Sequence, residues 1–193
     1  MRAFLIVALI AVANAFVVPT RVARFSRSPA VRMSTAVDDK AEVTEYFNNE
    51  GFSRWNKIYS DSDEVNKVQL DIRTGHQQTI DKVLGWFDGE NNKKKSVCDA
   101  GCGVGSLALP MATMFNKVSA SDISAAMTQE ASARAKEIKL RNVEFKVADM
   151  ETLAGKYDTV TCIDVMIHYP TDKMYGIVGK LGGLAKVSAN DPR

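Results

Sequence analysis

Cysteine is scarce in this sequence. Only Cys98, Cys102 and Cys162 are present among 193 residues, and no two of them form a CxxC pair. An odd number of cysteines without paired spacing excludes a disulfide scaffold and argues against a zinc site. We therefore expect the three cysteines to be small buried residues, and the sequence predicts no metal site.

A basic surface is missing from most of the chain. Residues 1–37 contain five arginines, no lysine and no acidic residue, which leaves 20 basic against 23 acidic residues in 38–193. The formal net charge of +2 therefore comes from the N-terminal segment. This distribution excludes a nucleic-acid binder that relies on bulk positive charge. With 46% hydrophobic residues overall, the body can bury the core of one ordinary domain.

The N-terminal apolar run is too short to cross a membrane. It covers residues 3–18 and is interrupted by Asn14, whereas a helical span needs about 20 residues. Residues 1–15 instead predict a signal peptide, with one arginine, an apolar stretch and the small-x-small end Ala13-Asn14-Ala15. Residues 16–37 are rich in arginine and serine and free of acids, as organelle transit peptides are.

Together these two segments resemble the bipartite leaders of algal plastids that lie inside ER-derived membranes. We therefore predict a plastid (chloroplast) protein, imported through a signal peptide (1–15) and a transit-like segment (16–37). Secretion with a basic pro-segment and retention of a membrane anchor are the alternatives. The body is predicted to contain an N-terminal helical lid and substrate region (38–92) and an α/β domain (93–193).

Hydrophobic spacing predicts helices first and alternating strands and helices afterwards. Residues 38–60, with an interruption at Gly51, and residues 65–87 repeat apolar positions every three or four residues. Beyond them, strands are predicted at 96–100, 117–121, 143–147 and 157–164, and helices at 106–115 and 124–138, with Ser124 as an N-cap. Such alternation indicates a doubly wound, mostly parallel α/β sheet.

The sharpest motif is the glycine-rich segment from Asp99 to Gly105, Asp-Ala-Gly-Cys-Gly-Val-Gly, between a predicted strand and helix. Glycines allow positive φ and let a ligand lie against the bare backbone. The spacing is neither the G-x-G-x-x-G of dinucleotide folds nor a Walker loop. The other interpretation is a glycine-rich turn in an unrelated α/β protein.

Two later carboxylates also follow predicted strands. Asp122 ends the second strand, where an acid can accept hydrogen bonds from both hydroxyls of a ribose. Asp149 and Met150 follow the third strand, where they can meet an adenine amine and ring. The D-x-G-x-G-x-G segment and these two acids together resemble a class I S-adenosylmethionine-dependent methyltransferase.

Four longer segments carry a narrower resemblance. They are residues 46–79, 97–110, 119–127 and 156–170, the first beginning YFNNEGFSRWNKIY and the last ending in IHYP. They resemble the magnesium-protoporphyrin IX O-methyltransferases of chlorophyll biosynthesis, from about Val43 to about Leu181. The resemblance implies methyl transfer from S-adenosylmethionine to a propionate carboxylate of magnesium protoporphyrin IX. It also implies contact with magnesium chelatase and peripheral association with plastid membranes.

The resemblance also implies roles for individual residues. His168 and Tyr59 are the catalytic candidates, because both can hydrogen-bond the propionate; the alternatives are a histidine that caps a strand end and an aromatic residue of the core. His76 faces either the cofactor, the porphyrin metal or solvent. The cofactor-binding candidates are Asp99, Gly101, Gly103, Gly105, Asp122, Asp149 and Met150.

The C-terminal end departs from the family pattern. After Leu181 the chain breaks off before a fifth strand can form, so we expect a sheet that is incomplete after its fourth strand. That strand, residues 159–163, is β-branched and uncharged and is expected to be an exposed edge. One alternative function is a methyltransferase for another small molecule. A second, favoured by the incomplete C-terminal part, is a non-catalytic fragment that binds S-adenosylmethionine.

Overall fold

The computed structural model describes residues 4–8, 36–60, 62–89 and 91–186. Most of the predicted leader, 1–37, and the residues after 186 lie outside this set. Among the described residues, no helix is both long enough and apolar enough to cross a membrane.

A five-stranded parallel sheet forms the centre of the fold. Its strands are β1 (Phe4–Ala8), β2 (Ser96–Ala100), β3 (Lys117–Asp122), β4 (Val143–Val147) and β5 (Thr159–Ile163), in the order β1-β5-β2-β3-β4. The four body strands lie where hydrophobic spacing predicts them, and the doubly wound α/β prediction is confirmed. The chain runs from β2 outward to β4 and then returns to the other side of β2 as β5, which creates a topological switch point.

The outer side of β5 is covered by a strand from the predicted signal peptide. β1 pairs with β5 in parallel, from Phe4 opposite Thr159 to Ala8 opposite Ile163. The expectation of an exposed β5 edge is therefore wrong for this chain. The reason is that β5 carries no charged side chain and is rich in β-branched residues, so the backbone groups on its outer side favour an added strand.

Six α-helices flank the sheet in the described part of the chain. They are α1 (Ala36–Asn48), α2 (Glu50–Ile58), α3 (Lys67–Gly85), α4 (Ala108–Met114), α5 (Ala125–Glu137) and α6 (Thr171–Leu184). The sequence prediction has no helix at α6 and starts α4 two residues early. Ser124 caps α5 as predicted, because its hydroxyl accepts a hydrogen bond from the Met127 N–H at 3.2 Å.

The predicted break between the first two helices is shifted. It lies at Asn49, whereas Gly51 sits inside α2 and is buried. A Cβ at position 51 would lie 2.6 Å from a ring carbon of Tyr46. Glycine is therefore required for the close approach of α1 to α2 and not for a helix interruption.

The two faces of the sheet support separate hydrophobic clusters. Val97 of β2 packs with residues of α3 and α4, whereas Cys98 and Ala100 pack with residues of α6. Successive side chains of a strand point to opposite faces, so these clusters lie on the two sides of the sheet. Helices on both faces leave the carboxyl ends of the strands as the place for a site.

Candidate functional site

One large cavity, with a volume of about 240 Å³, opens at the carboxyl edge of the sheet beside the switch point. Residues at the ends of β2, β3 and β5 line it, which is where open α/β sheets bind ligands. The predicted lid helices supply much of the remaining wall, through Val43, Phe47, Trp55, Tyr59, Ile72 and His76.

The glycine loop after β2 is folded onto the end of β3. Gly101 and Cys102 donate their N–H groups to the Ser121 carbonyl at 2.8 and 2.9 Å. Gly101 has a φ of 76°, and a Cβ there would lie 2.3 Å from Cγ2 of Val165. Gly101 and Gly103 line the cavity, whereas Gly105 packs against Leu109 and is not among the described lining residues.

Asp122 holds the loop and faces the cavity. Its carboxylate accepts hydrogen bonds from the N–H groups of Gly103 and Ser124, both at 2.9 Å. Burial raises the pKa of Asp122, and these two backbone donors partly offset that effect. Each carboxylate oxygen has further acceptor capacity, so the group can still accept from ligand hydroxyls.

Asp99 at the end of β2 is more deeply buried. It pairs across the sheet with Thr161 of β5, whose hydroxyl donates to Oδ1 at 2.7 Å. Oδ2 has no hydrogen-bond partner among the described residues. Burial raises the pKa of Asp99 to about 6, the Asp122 charge adds to the increase, and the Thr161 hydrogen bond opposes it.

Asp149 is occupied by a residue of the lid. Lys40 of α1 forms ion pairs of 2.6 Å with both Asp149 and Glu151, and these carboxylates raise the pKa of Lys40. Asp149 also accepts from the Glu151 N–H at 2.9 Å. Met150 lines the cavity, while Asp149 is not among the described residues that do so.

The two catalytic candidates lie in the same cavity but on different elements. Tyr59 is the C-cap of α2, and burial together with the Asp164 charge raises the pKa of its phenol. His168 lies at the exposed rim, with its ring 5.1 Å from that of Phe47 in an edge-to-face arrangement. Partial burial lowers the pKa of His168, whereas Asp122 and Asp164 act in the opposite direction.

Sequence reasoning named His76 as a candidate but missed its partner Asp164, which connects α3 to the end of β5. His76 of α3 lies with Nδ1 2.7 Å from Oδ2 of Asp164, the residue that follows β5. The Tyr59 ring stacks on the His76 imidazole with centroids 4.2 Å apart. Asp164 has a φ of 59°, unusual for a non-glycine residue. It follows a strand as Asp122 ends one, so the same strand-end argument could have found it.

The cysteines are buried, as the sequence predicts. Burial raises the pKa values of Cys98 and Cys162 to about 12, so both thiols stay protonated at neutral pH. Cys102 lines the cavity, and burial raises its thiol pKa as well. These groups therefore act as apolar packing residues rather than nucleophiles.

Comparisons with known proteins agree on one class. Residues 97–184 match the model of a methyltransferase domain family. The chain is 50% identical over 151 residues to the chloroplastic magnesium protoporphyrin IX methyltransferase of Arabidopsis thaliana, covering 77% of this chain and 48% of that protein. It is 48% identical over 155 residues to a Synechocystis magnesium-protoporphyrin O-methyltransferase, covering 79% of this chain and 67% of that one.

Solved structures give the same result. The crystal structure of the Synechocystis magnesium protoporphyrin IX methyltransferase with bound S-adenosylmethionine (SAM) superposes with a TM-score of 0.75 at 48% identity. The alignment covers 80% of this chain and 75% of that one. The structure of the same protein with bound S-adenosylhomocysteine (SAH) gives 0.74 at 49% identity, covering 77% and 69% of the two chains. This chain thus spans about half of the Arabidopsis relative and a larger share of the Synechocystis one.

Proposed function

The chain belongs to the magnesium-protoporphyrin O-methyltransferase family, and on that premise we propose that it transfers a methyl group from SAM to a propionate carboxylate of magnesium protoporphyrin IX. The single observation that carries the proposal is the cavity at the switch point, where Asp99, Asp122 and the glycine loop meet Tyr59 of the lid. Family membership supports the class I methyltransferase type of the fold, with SAM as the cofactor.

The residues at the strand ends fit such a cofactor. Asp122 would hold the ribose, because its carboxylate faces the cavity with unused acceptor capacity. Gly101 and Gly103 leave the backbone bare for the amino-acid part, and the Met150 side chain would pack on the adenine. Asp149 would reach the adenine amine beside its ion pair with Lys40. Gly105 would not contact the cofactor; its missing side chain would instead allow α4 to pack closely against the loop.

Little acid–base chemistry is required of the protein. SAM, when bound, supplies an electrophilic methyl group, and a propionate with a pKa near that of glutamate, about 4.3, is already ionised at neutral pH. The tasks left to the chain are to orient the acceptor oxygen and to exclude water. The elevated pKa of Tyr59 keeps its hydroxyl protonated, so it can donate a hydrogen bond to the carboxylate. His168 at the rim would contact the same group.

The place of action is proposed to be the plastid. The Arabidopsis relative is named chloroplastic, and the basic, acid-free composition of residues 16–37 supports import. Receipt of the porphyrin from magnesium chelatase and peripheral contact with a plastid membrane follow from the family resemblance and extend this proposal.

The test uses the full chain and separates cofactor binding from turnover. Calorimetry measures SAH binding, and mass spectrometry measures the methyl ester formed from magnesium protoporphyrin IX, with metal-free protoporphyrin as the matched acceptor. We expect binding and ester formation, with Tyr59→Phe lowering kcat about tenfold while SAH affinity is unchanged. SAH binding without formation of the methyl ester would favour a non-catalytic fragment. Faster methylation of unrelated acids than of magnesium protoporphyrin IX would favour a methyltransferase for another substrate.

A further inference from the structure

The indole nitrogen of Trp55 is a buried donor that has no partner among the described residues. Nε1 makes no hydrogen bond there, and Trp55 is one of the residues that line the candidate cavity. An indole N–H can only donate, so nothing but an acceptor can satisfy it. Because a buried donor is costly to leave unpaired, this atom indicates an acceptor that arrives with a ligand.

Helix α2 places this donor beside the catalytic candidate Tyr59. The two residues are four positions apart, and the Tyr59 N–H still donates to the Trp55 carbonyl at 2.9 Å, so their side chains share one face of the helix. Their ring centroids are 5.4 Å apart, with the planes inclined by 30°. Both residues line the cavity. One turn of the lid therefore contributes an indole N–H and a phenol O–H to the same site.

The indole is held on more than one side. The Tyr59 ring packs against it, and the guanidinium carbon of Arg54 lies 5.6 Å from its centroid, within the range of a cation–π contact. These contacts fix the orientation of the ring and with it the direction of the N–H bond. The donor is thus oriented before a ligand binds, which lowers the entropic cost of the hydrogen bond.

The charges of the cavity limit how it can hold an anionic group. Asp99, Asp122 and Asp164 line it at the strand ends, and no lysine or arginine is among the described residues that do so. A carboxylate in this space is repelled by the strand ends, so neutral donors have to hold it. Trp55 and Tyr59 supply such donors from the lid.

We propose that Trp55 binds the acceptor substrate, with its Nε1–H donating to the propionate carboxylate alongside the Tyr59 hydroxyl. The inference rests on the proposed methyl transfer and deepens it by naming a second substrate donor. Two donors from one helix face orient the carboxylate. They also favour the acid over its methyl ester, because hydrogen bonds to a charged acceptor are stronger than those to a neutral one.

The experiment compares two porphyrin ligands that differ in their carboxylates. Magnesium protoporphyrin IX carries two propionates, and its dimethyl ester carries none; absorption titration measures the affinity of each. Trp55→Phe keeps an aromatic ring against Tyr59 and removes the N–H. We expect it to weaken binding of the free acid about tenfold, and to leave the dimethyl ester and, by calorimetry, SAH within about twofold.

The second tryptophan of the chain provides the matched control. Trp86 is the C-cap of α3, is 55% exposed and is not among the described residues that line the cavity. Trp86→Phe should leave the affinities for all three ligands within about twofold, as surface substitutions usually do.

Nuclear magnetic resonance of the wild-type chain reports on the donor directly. The chain has two tryptophans, so the spectrum of Trp86→Phe assigns both indole N–H signals. We expect the Trp55 signal to move further downfield with the free acid than with the dimethyl ester, whose macrocycle exerts the same ring-current effect.

Three results would overturn the assignment. Equal weakening of acid and ester in Trp55→Phe, with equal signal shifts for both, would make Trp55 a packing residue. Weaker SAH binding in Trp55→Phe would assign the N–H to the cofactor. A wild-type chain that binds SAH but neither porphyrin would overturn the proposed substrate, and the role of Trp55 with it.

Discussion

The carboxylates at two ends of the sheet's carboxyl edge differ in how they are paired, and of these groups only the one between β2 and β5 is among the described residues that line the cavity. Near β4, Asp149 and Glu151 share the Lys40 ammonium through two 2.6 Å contacts. Between β2 and β5, Asp99 and Asp164 each keep one buried oxygen without a hydrogen-bond partner in the described part of the chain. All three aspartates lie at or just after the carboxyl ends of strands, so the same topological rule places them. The two ends differ in the residue that the N-terminal helices contribute, which is Lys40 near β4 and His76 near β5.

Burial decides the energetic weight of this difference. The side chains of Lys40, Asp149 and Glu151 are 31%, 22% and 40% exposed, so solvent screens their attraction. At the unpaired end His76 is 12% exposed and Asp99 is 2% exposed. The paired end therefore holds the lid weakly, while the unpaired end carries a desolvation cost that a bound ligand can relieve.

The largest effect is expected when the unpaired end is forced apart. Gly101→Ala places a Cβ 2.3 Å from Val165, the neighbour of Asp164, at a φ of 76°. Strain and overpacking together should lower the free energy of unfolding by about 2–5 kcal/mol in urea denaturation. Gly89→Ala is the matched control, with a φ of 75° and no atom within 4 Å of the added Cβ. Equal losses in the two variants would show that the contact with Val165 is irrelevant.

The next effect concerns the carboxylate between the two ends. Asp122→Ala removes the acceptor that we propose for the ribose, and it removes the carboxylate that holds the Gly103 N–H. We expect SAH to bind about tenfold to a hundredfold more weakly by calorimetry, as for the loss of 1.5–3 kcal/mol from charged hydrogen bonds. Asp149→Ala should weaken binding less, because Asp149 is engaged by Lys40. The reverse order would mean that the paired end dominates cofactor binding.

A gain in stability is expected when a substitution removes the charge of Asp99. Its folded pKa of about 6 lies above the unfolded value of about 3.9. The folded state therefore favours the neutral acid. The resulting contribution to the free energy of unfolding is fully present below about pH 4 and is lost as the pH rises through 6. The free energy of unfolding of Asp99→Asn should be about 1–3 kcal/mol higher than that of the wild type at pH 7.5. The gain should shrink at pH 4.5, and a pH-independent gain would contradict the burial argument.

The smallest effect is expected at the paired end. Lys40→Met removes both ion pairs while it keeps an unbranched side chain on α1. Because the pairs are partly exposed, stability should fall by at most about 1 kcal/mol. Hydrogen exchange of residues 40–48 should accelerate, and exchange in β2 should not. A large loss of stability would show that the lid depends on this contact.

Local patterns predicted four of the five strands and part of the candidate site. The alternation of apolar residues located β2 and β4 to the residue, and the strand-end rule located Asp99 and Asp122 on the cavity. Neither pattern predicts the side-chain pairs that join residues far apart in the sequence. His76 and Asp164 are 88 residues apart, and Lys40 and Asp149 are 109 apart. These pairings depend on how α1 and α3 pack over the sheet, which no local window of sequence specifies.

The pairing of β1 with β5 would connect cleavage of the predicted signal peptide to the pairing of the sheet edge. β1 lies within the predicted signal peptide, so cleavage after Ala15 would withdraw five residues of backbone pairing from β5. The precursor and the processed chain would then differ in their capacity to recruit a strand in trans. The opposite edge needs no such cover, because β4 carries Glu144 and Lys146, a composition that discourages further pairing. If the predicted leader is cleaved, the edge of β5 would become available to another segment that can pair with it.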